Sequence, residues 1–133
     1  MRYETVSVLI PAQDAMITRV IGCAIRVHKE LGPGFLERIY GKALAFEFEQ
    51  AGIPYEREVP VVVNYRGVLP IDGQRIDFIV DRSVILDIKA VSRLDPIFEA
   101  KMISYLRTAR IKVGLILNFN VLLLKDGIRR IAA

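Results

Sequence analysis

Between Gln74 and Val91 two apolar, β-branched runs are interrupted once, by the polar trio Asp81-Arg82-Ser83. Runs of that length about a short polar break read as an antiparallel hairpin, with strands at about Gln74 to Val80 and Val84 to Val91. Hairpin geometry then constrains more than secondary structure. Side chains alternate between the two faces of a strand, so Asp87 and Lys89, two apart, share one face. A turn centred on Arg82 sets residues equally distant from it opposite one another, which brings Asp77 across from Asp87 on that face. Two carboxylates and an ammonium are thereby gathered within roughly 5 to 7 Å of each other, on strands otherwise built from Ile, Phe, Val and Leu. A register displaced by one residue would undo the arrangement.

Like charges this close and this poorly solvated repel, and one carboxyl keeps its proton unless a cation lies between them. A hard divalent ion, Mg2+ or Mn2+, is the natural occupant. Magnesium takes one or two carboxylates, several waters and phosphate oxygens in preference to an all-protein cage, so Asp77 and Asp87 suffice when substrate completes the shell. Lys89 would then orient or activate the attacking water, or stabilise charge on a phosphate. The plainer alternative is an exposed Asp87–Lys89 ion pair on a solvent-facing strand, which the apolar character of both strands argues against.

The remaining chain supplies the cover for this hairpin. From Asp14 to Leu31 the apolar residues Ile17, Val20, Ile21, Ala24, Ile25 and Leu31 recur at helical spacing until Gly32-Pro33-Gly34. A second helix is expected from about Phe35 to Ala51, with Leu36, Ile39, Tyr40, Ala43, Leu44 and Phe48 inward and Gly52 as the stop. Glu37 lies on its stripe with Tyr40, Leu44 and Phe48. A buried carboxylate there needs a metal, a lysine or backbone N–H groups, whereas an exposed one would simply favour the helix dipole. Val59 to Tyr65 and Val68 to Ile71 read as strands about an Arg66-Gly67 turn, with Pro60 and Pro70 marking sheet edges. A third helix starts at Pro96 behind the candidate cap Asp95 and carries Phe98, Met102, Tyr105, Leu106 and Ala109 on one stripe. Ile111 to Phe119 reads as a buried strand, and an Asp126-Gly127 turn is expected to pair Val121 to Lys125 with Ile128 to Ile131. The order predicts an α/β fold in the α+β sense, a mixed sheet with helices packed on it. There is no GxGxxG or GxxxxGK[ST] to indicate a doubly wound nucleotide fold.

At 133 residues and 53% hydrophobic, the chain suits one globular domain over 1–133 with an ordinary core. The single cysteine, Cys23, can form no internal disulfide and reads as a helix packing residue in a reducing compartment. The lone histidine, His28, has no Cys or Ser partner for a triad and reads as a helix-end residue. Met1-Arg2-Tyr3-Glu4 lacks the layout of a signal peptide, and Asn118 and Asn120 break the apolar run of Val113 to Leu124 short of a membrane span. A cytoplasmic protein with no membrane partner is expected. The net charge of +4 is unevenly spread. From Ala100 onward Lys101, Arg107, Arg110, Lys112, Lys125, Arg129 and Arg130 face only Asp126, which suits a surface that meets a polyanion and equally suits solvated charges on helix and strand exteriors. Lys101, Arg129 and Arg130 are the candidates for nucleic-acid contact.

The segment Gly34-Phe35-Leu36-Glu37-Arg38-Ile39-Tyr40 resembles the signature of the GxxExxY proteins, a group of the PD-(D/E)XK nuclease superfamily. The resemblance extends in order through Val27-His28-Lys29-Glu30-Leu31-Gly32-Pro33-Gly34, Arg75-Ile76-Asp77, Asp87-Ile88-Lys89-Ala90-Val91 and Glu99-Ala100-Lys101. It implies a restriction-endonuclease-like core of helix, three strands, helix and strand. Asp77 would take the first acidic position, Asp87 the second and Lys89 the lysine, with Glu37 the helical acid that many members add to the metal site. Asp87 stands where Glu is commoner in the family, and Lys101 where Gln is commoner.

Together these readings anticipate metal-assisted hydrolysis of DNA or RNA, with Asp77, Asp87 and Glu37 as Mg2+ or Mn2+ ligands and Lys89 beside the water. The alternative is a nuclease-fold binding or adaptor subunit that no longer cuts. A nuclease this small commonly needs a second subunit to grip both strands, so a homodimer is a further expectation.

Overall fold

The computed structural model describes residues 11–133, and the reading of Met1-Arg2-Tyr3-Glu4 lies outside the described residues. Helix α1 spans Pro11–Leu31 and α2 spans Glu37–Ala51. Gly52 ends α2 in a left-handed conformation, so that Ile53 N–H reaches back to Phe48 O at 2.9 Å and closes the last turn. Three strands follow, β1 Tyr55–Tyr65, β2 Leu69–Val80 and β3 Val84–Lys89. Helix α3, Pro96–Ala109, begins as expected, with Pro96 in its first turn and the Asp95 carboxylate accepting from Ile97 N–H at 3.0 Å. Strands β4 Val113–Asn118 and β5 Ile128–Ala132 complete the chain.

The five strands form one mixed sheet in the order β1-β2-β3-β4-β5. Only β3 and β4 are parallel, and α3 makes the crossover between them. Alternation along the strands sends Phe78, Leu86, Leu115 and Leu117 towards α1 and α2, where Val20, Ala24, Leu44 and Phe48 meet them. The opposite set, Ile79, Ile85, Ile116 and Ile131, packs on Met102, Tyr105 and Leu106 of α3. Ile76 joins it although it is two residues from Phe78, so the alternation of β2 breaks at Asp77. Among the described residues no helix is long and apolar enough to cross a membrane.

Four local expectations are corrected. Val68 to Ile71 and Gln74 to Val80 are one strand, because the extra residue near Asp72-Gly73 is absorbed as a bulge between the Val61–Gln74 and Val63–Ile71 pairs. Val121 to Lys125 is not the partner of β5. Instead Leu124–Gly127 forms a 3-10 turn, His28 Nε2 holds Val121 O at 2.8 Å, and β5 pairs antiparallel with β4 itself. A glycine is required at the close of that turn, since a Cβ on Gly127 would collide with the Asn118 carbonyl. Leu36, placed inward by periodicity, is the exposed N-cap of α2 with 66% of its surface open, and Ile25 is likewise exposed. Finally, β3 ends at Lys89, because the chain turns away to the loop before α3.

Candidate active site

The hairpin register is the one expected from a turn centred on Arg82: Val80 pairs with Val84, Ile79 with Ile85 and Phe78 with Leu86. The next pair would be Asp77 with Asp87, and there the ladder stops. Beyond it β3 continues in register with β4 through Lys89 and Asn118, while β2 follows β1. The sheet therefore opens as a fork between β2 and β3. Asp77 fills the gap, its Oδ2 accepting from Ile88 N–H at 2.7 Å in place of a strand partner.

Asp87 and Lys89 share the α3 side of β3. Lys89 Nζ stands 3.2 Å from Asp87 Oδ1 and 4.6 Å from the centroid of the Phe98 ring, so both α3 and β3 hold the ammonium in place. Asp87 is only 4% exposed, and its second oxygen, Oδ2, is buried with no hydrogen-bond partner among the described residues. A native carboxylate oxygen in that condition marks a missing ligand or stored destabilisation. Desolvation raises the Asp77 pKa to about 6; the Ile88 N–H opposes the rise, Asp87 adds to it by its charge and by accepting a hydrogen bond from the protonated form, and Lys89 lowers it. Asp87 therefore lacks that side-chain partner only while Asp77 is ionised.

Glu37 opens α2, and the end of its side chain reaches the same electrostatic neighbourhood. Glu37 is exposed as a residue, yet desolvation of its carboxyl raises its pKa, Lys89 lowers it, Asp77 raises it again and Lys101 lowers it. Even so, among the described residues no three Asp, Glu, His or Cys side chains form a group that could hold a metal by themselves. The protein thus offers Asp77 and Asp87 at the fork with Glu37 outside that pair. This is the donor count that magnesium uses when substrate and water complete its shell.

Lys101 lies on α3 with its Nζ 5.5 Å from the Tyr105 ring centroid. Burial works to lower its pKa, but the adjoining Tyr105 and the carboxylates of Asp87 and Asp77 outweigh that, and the net shift is upward. Arg129 and Arg130, successive on β5, are separated by the sheet. Arg129 lies opposite Ile116, itself opposite Asp87, and so shares the Asp87 face. Arg130 is on the other face, where its Nη2 meets Asp14 Oδ1 of α1 at 2.9 Å. Tyr40 does not reach Glu37: its hydroxyl donates to Gly32 O at 2.5 Å and its ring stacks on Phe119.

Two contributors went unnoticed in the sequence. Asn118 appears there only as a polar break, yet its side chain is a buried clamp. It accepts from Val91 N–H at 3.1 Å and Asn120 N–H at 3.2 Å, and donates to Val91 O at 3.0 Å. Those bonds secure the exit from β3 just beyond Lys89. An Asn inside an otherwise apolar strand was the available signal. The second is Arg57 of β1, which with Glu37, Glu58, Asp77, Phe78 and Ile88 lines a cavity of about 120 Å³ beside the fork. No sequence spacing relates Arg57 to Asp77.

A family model described as the PD-(D/E)XK nuclease superfamily matches residues 14–131. Comparison with curated proteins and with solved structures returns no significant match.

Proposed function

From a chain that belongs to the PD-(D/E)XK nuclease superfamily, we propose a divalent-metal-dependent nuclease that hydrolyses DNA or RNA phosphodiester bonds at Asp77, Asp87 and Lys89. Within the superfamily we place it in the GxxExxY group, on Gly34, Glu37 and Tyr40. The observation that carries the reading is the buried, unpartnered Oδ2 of Asp87 beside the partly desolvated Asp77. A pair of such carboxyls fits a hard cation, which would supply the positive charge that a proton on Asp77 supplies only below about pH 6.

Asp77 and Asp87 would hold Mg2+ or Mn2+, with Glu37 acting from the helix side through water. When bound, the ion supplies Lewis acidity to a phosphoryl oxygen and lowers the pKa of a water. The chain's own groups set the rest. Ile88 N–H fixes one oxygen of Asp77, so its carboxylate cannot swing out of the fork. Lys89, held by Asp87 and Phe98, presents its remaining N–H donors to the attacking water or to the charge that develops on the phosphate. Lys101 and Arg129 extend positive charge along the same face for the nucleic-acid backbone.

Cleavage of labelled single- and double-stranded DNA and RNA oligonucleotides with magnesium or manganese tests this directly. Asp77→Asn, Asp87→Asn and Lys89→Met should each abolish cleavage that the wild type performs. Activity surviving in all three would place the chemistry elsewhere.

A further inference from the structure

The cavity beside Asp77 is lined by two arginines, Arg38 and Arg57, that the catalytic trio leaves unused, and Arg57 is the one braced on the sheet. Arg57 lies across from Phe78 in the β1–β2 register and covers its ring, with Cζ 5.1 Å from the centroid. To get there it passes α2 at Gly41, one turn after Glu37, where a Cβ would lie 3.1 Å from Nη2. Glycine is a poor residue for the interior of a helix, and here its missing side chain leaves room for the guanidinium. The next residue, Glu58, takes a left-handed φ of 51°, and the regular pairs on either side of it skip the position opposite Asp77. Strained backbone of this kind gathers at functional sites, and here it lies against the fork.

Glu37, Glu58, Asp77 and a second arginine, Arg38, line the same cavity. Yet the ion pairs among the described residues are Lys89–Asp87 and Arg130–Asp14, and Arg57 takes part in neither. A planar guanidinium braced against an aromatic ring, with its fork free of carboxylates, suits a bidentate anion. Lys89, bonded to Asp87 and turned to the reacting phosphate, leaves a neighbouring backbone phosphate to another cation.

On the nuclease reading above, we infer that Arg57 forms a phosphate subsite: its guanidinium binds a backbone phosphate of nucleic acid laid across the β2–β3 fork. Gly41 is the residue that keeps this subsite open. The competing role is a purely structural one, in which the stacked Arg57 braces β1 against α2.

Two variants separate these roles. Arg57→Gln removes the charge, while Gly41→Ala keeps the charge and crowds it with a methyl group. The probe is deoxythymidine 3′,5′-bisphosphate, followed by the side-chain N–H NMR signal of Arg57 and by thermal melts of each protein. The Arg57 signal should shift saturably in the wild type. Both variants should weaken bisphosphate binding by on the order of tenfold or more, and Gly41→Ala should melt no lower than the wild type. An Arg57 signal that stays still, or variants that melt lower but bind equally well, would overturn the subsite. Oligonucleotide cleavage reports separately on the enzyme: if the wild type never cleaves but its Arg57 signal shifts, the phosphate subsite stands and the nuclease reading falls.

Discussion

Replacing Asp77 by Asn should make the metal-free protein more stable, and only above the pH at which Asp77 loses its proton. In the folded chain its pKa rises from 3.8 to about 6, chiefly through desolvation. A rise of that size corresponds to roughly 3 kcal/mol of penalty on the ionised form. That is an upper bound, because the carboxyl is only part-buried and solvent screens it. Asn also accepts less strongly from Ile88 N–H than a carboxylate does, which offsets part of the gain. About 1 kcal/mol should remain, or roughly 3 to 4 °C in melting temperature for a chain of this size. The sign follows from proton binding. A carboxyl with a raised folded pKa binds more protons folded than unfolded between the two pKa values, so its contribution is fully present below about pH 4. It is lost as pH rises through about 6. The Asn variant should therefore match the wild type near pH 4 and exceed it at pH 7.5. Manganese at about 100 times its dissociation constant should stabilise the wild type by roughly 2.7 kcal/mol and the variant much less. Melts with chelator and with manganese at both pH values test this. A variant that melts lower at pH 7.5, together with a wild type indifferent to metal, would refute the reasoning and make Asp77 a structural anchor.

Lys89→Met should cost about 3 kcal/mol in urea denaturation at neutral pH, because it leaves the buried Asp87 carboxylate without its cation partner. Arg129→Gln should weaken binding of a DNA duplex and reduce the slope of log affinity against log salt by about 0.9 for one phosphate contact. Arg130→Gln, on the opposite face, should leave that slope unchanged and cost at most about 1 kcal/mol through its exposed pair with Asp14. Asn118→Ala should lower stability by about 3 kcal/mol, since three hydrogen bonds around Val91 and Asn120 disappear together. Hydrogen exchange should show the segment after Lys89 losing protection first.

What the sequence determined by itself was whatever depends on near neighbours. Strand alternation and the polar break at Arg82 were enough to give the hairpin register as far as Phe78 and Leu86, and to put Asp87 beside Lys89. Capping chemistry located the start of α3 at Asp95 and Pro96, and the stop of α2 at Gly52. Each of these follows from a period of two, a helical stripe or a single turn, so a short window of residues contains the whole cause. Tertiary structure decided where pairing ends and what crosses the gap. That β5 returns to β4, and not to Val121 to Lys125, depends on His28 and Gly127 holding the intervening loop. Only the sheet shows that Arg129 shares its face with Asp87 and that Arg130 meets Asp14. The fork itself arises because β3 stays with β4 while β2 stays with β1, a competition between strand pairings far apart in the chain. That competition strands one oxygen of Asp87, turns Asp77 onto Ile88 and brings Arg57 past Gly41 to the site. No local pattern encodes it, because its cause is the relative placement of four strands and a helix.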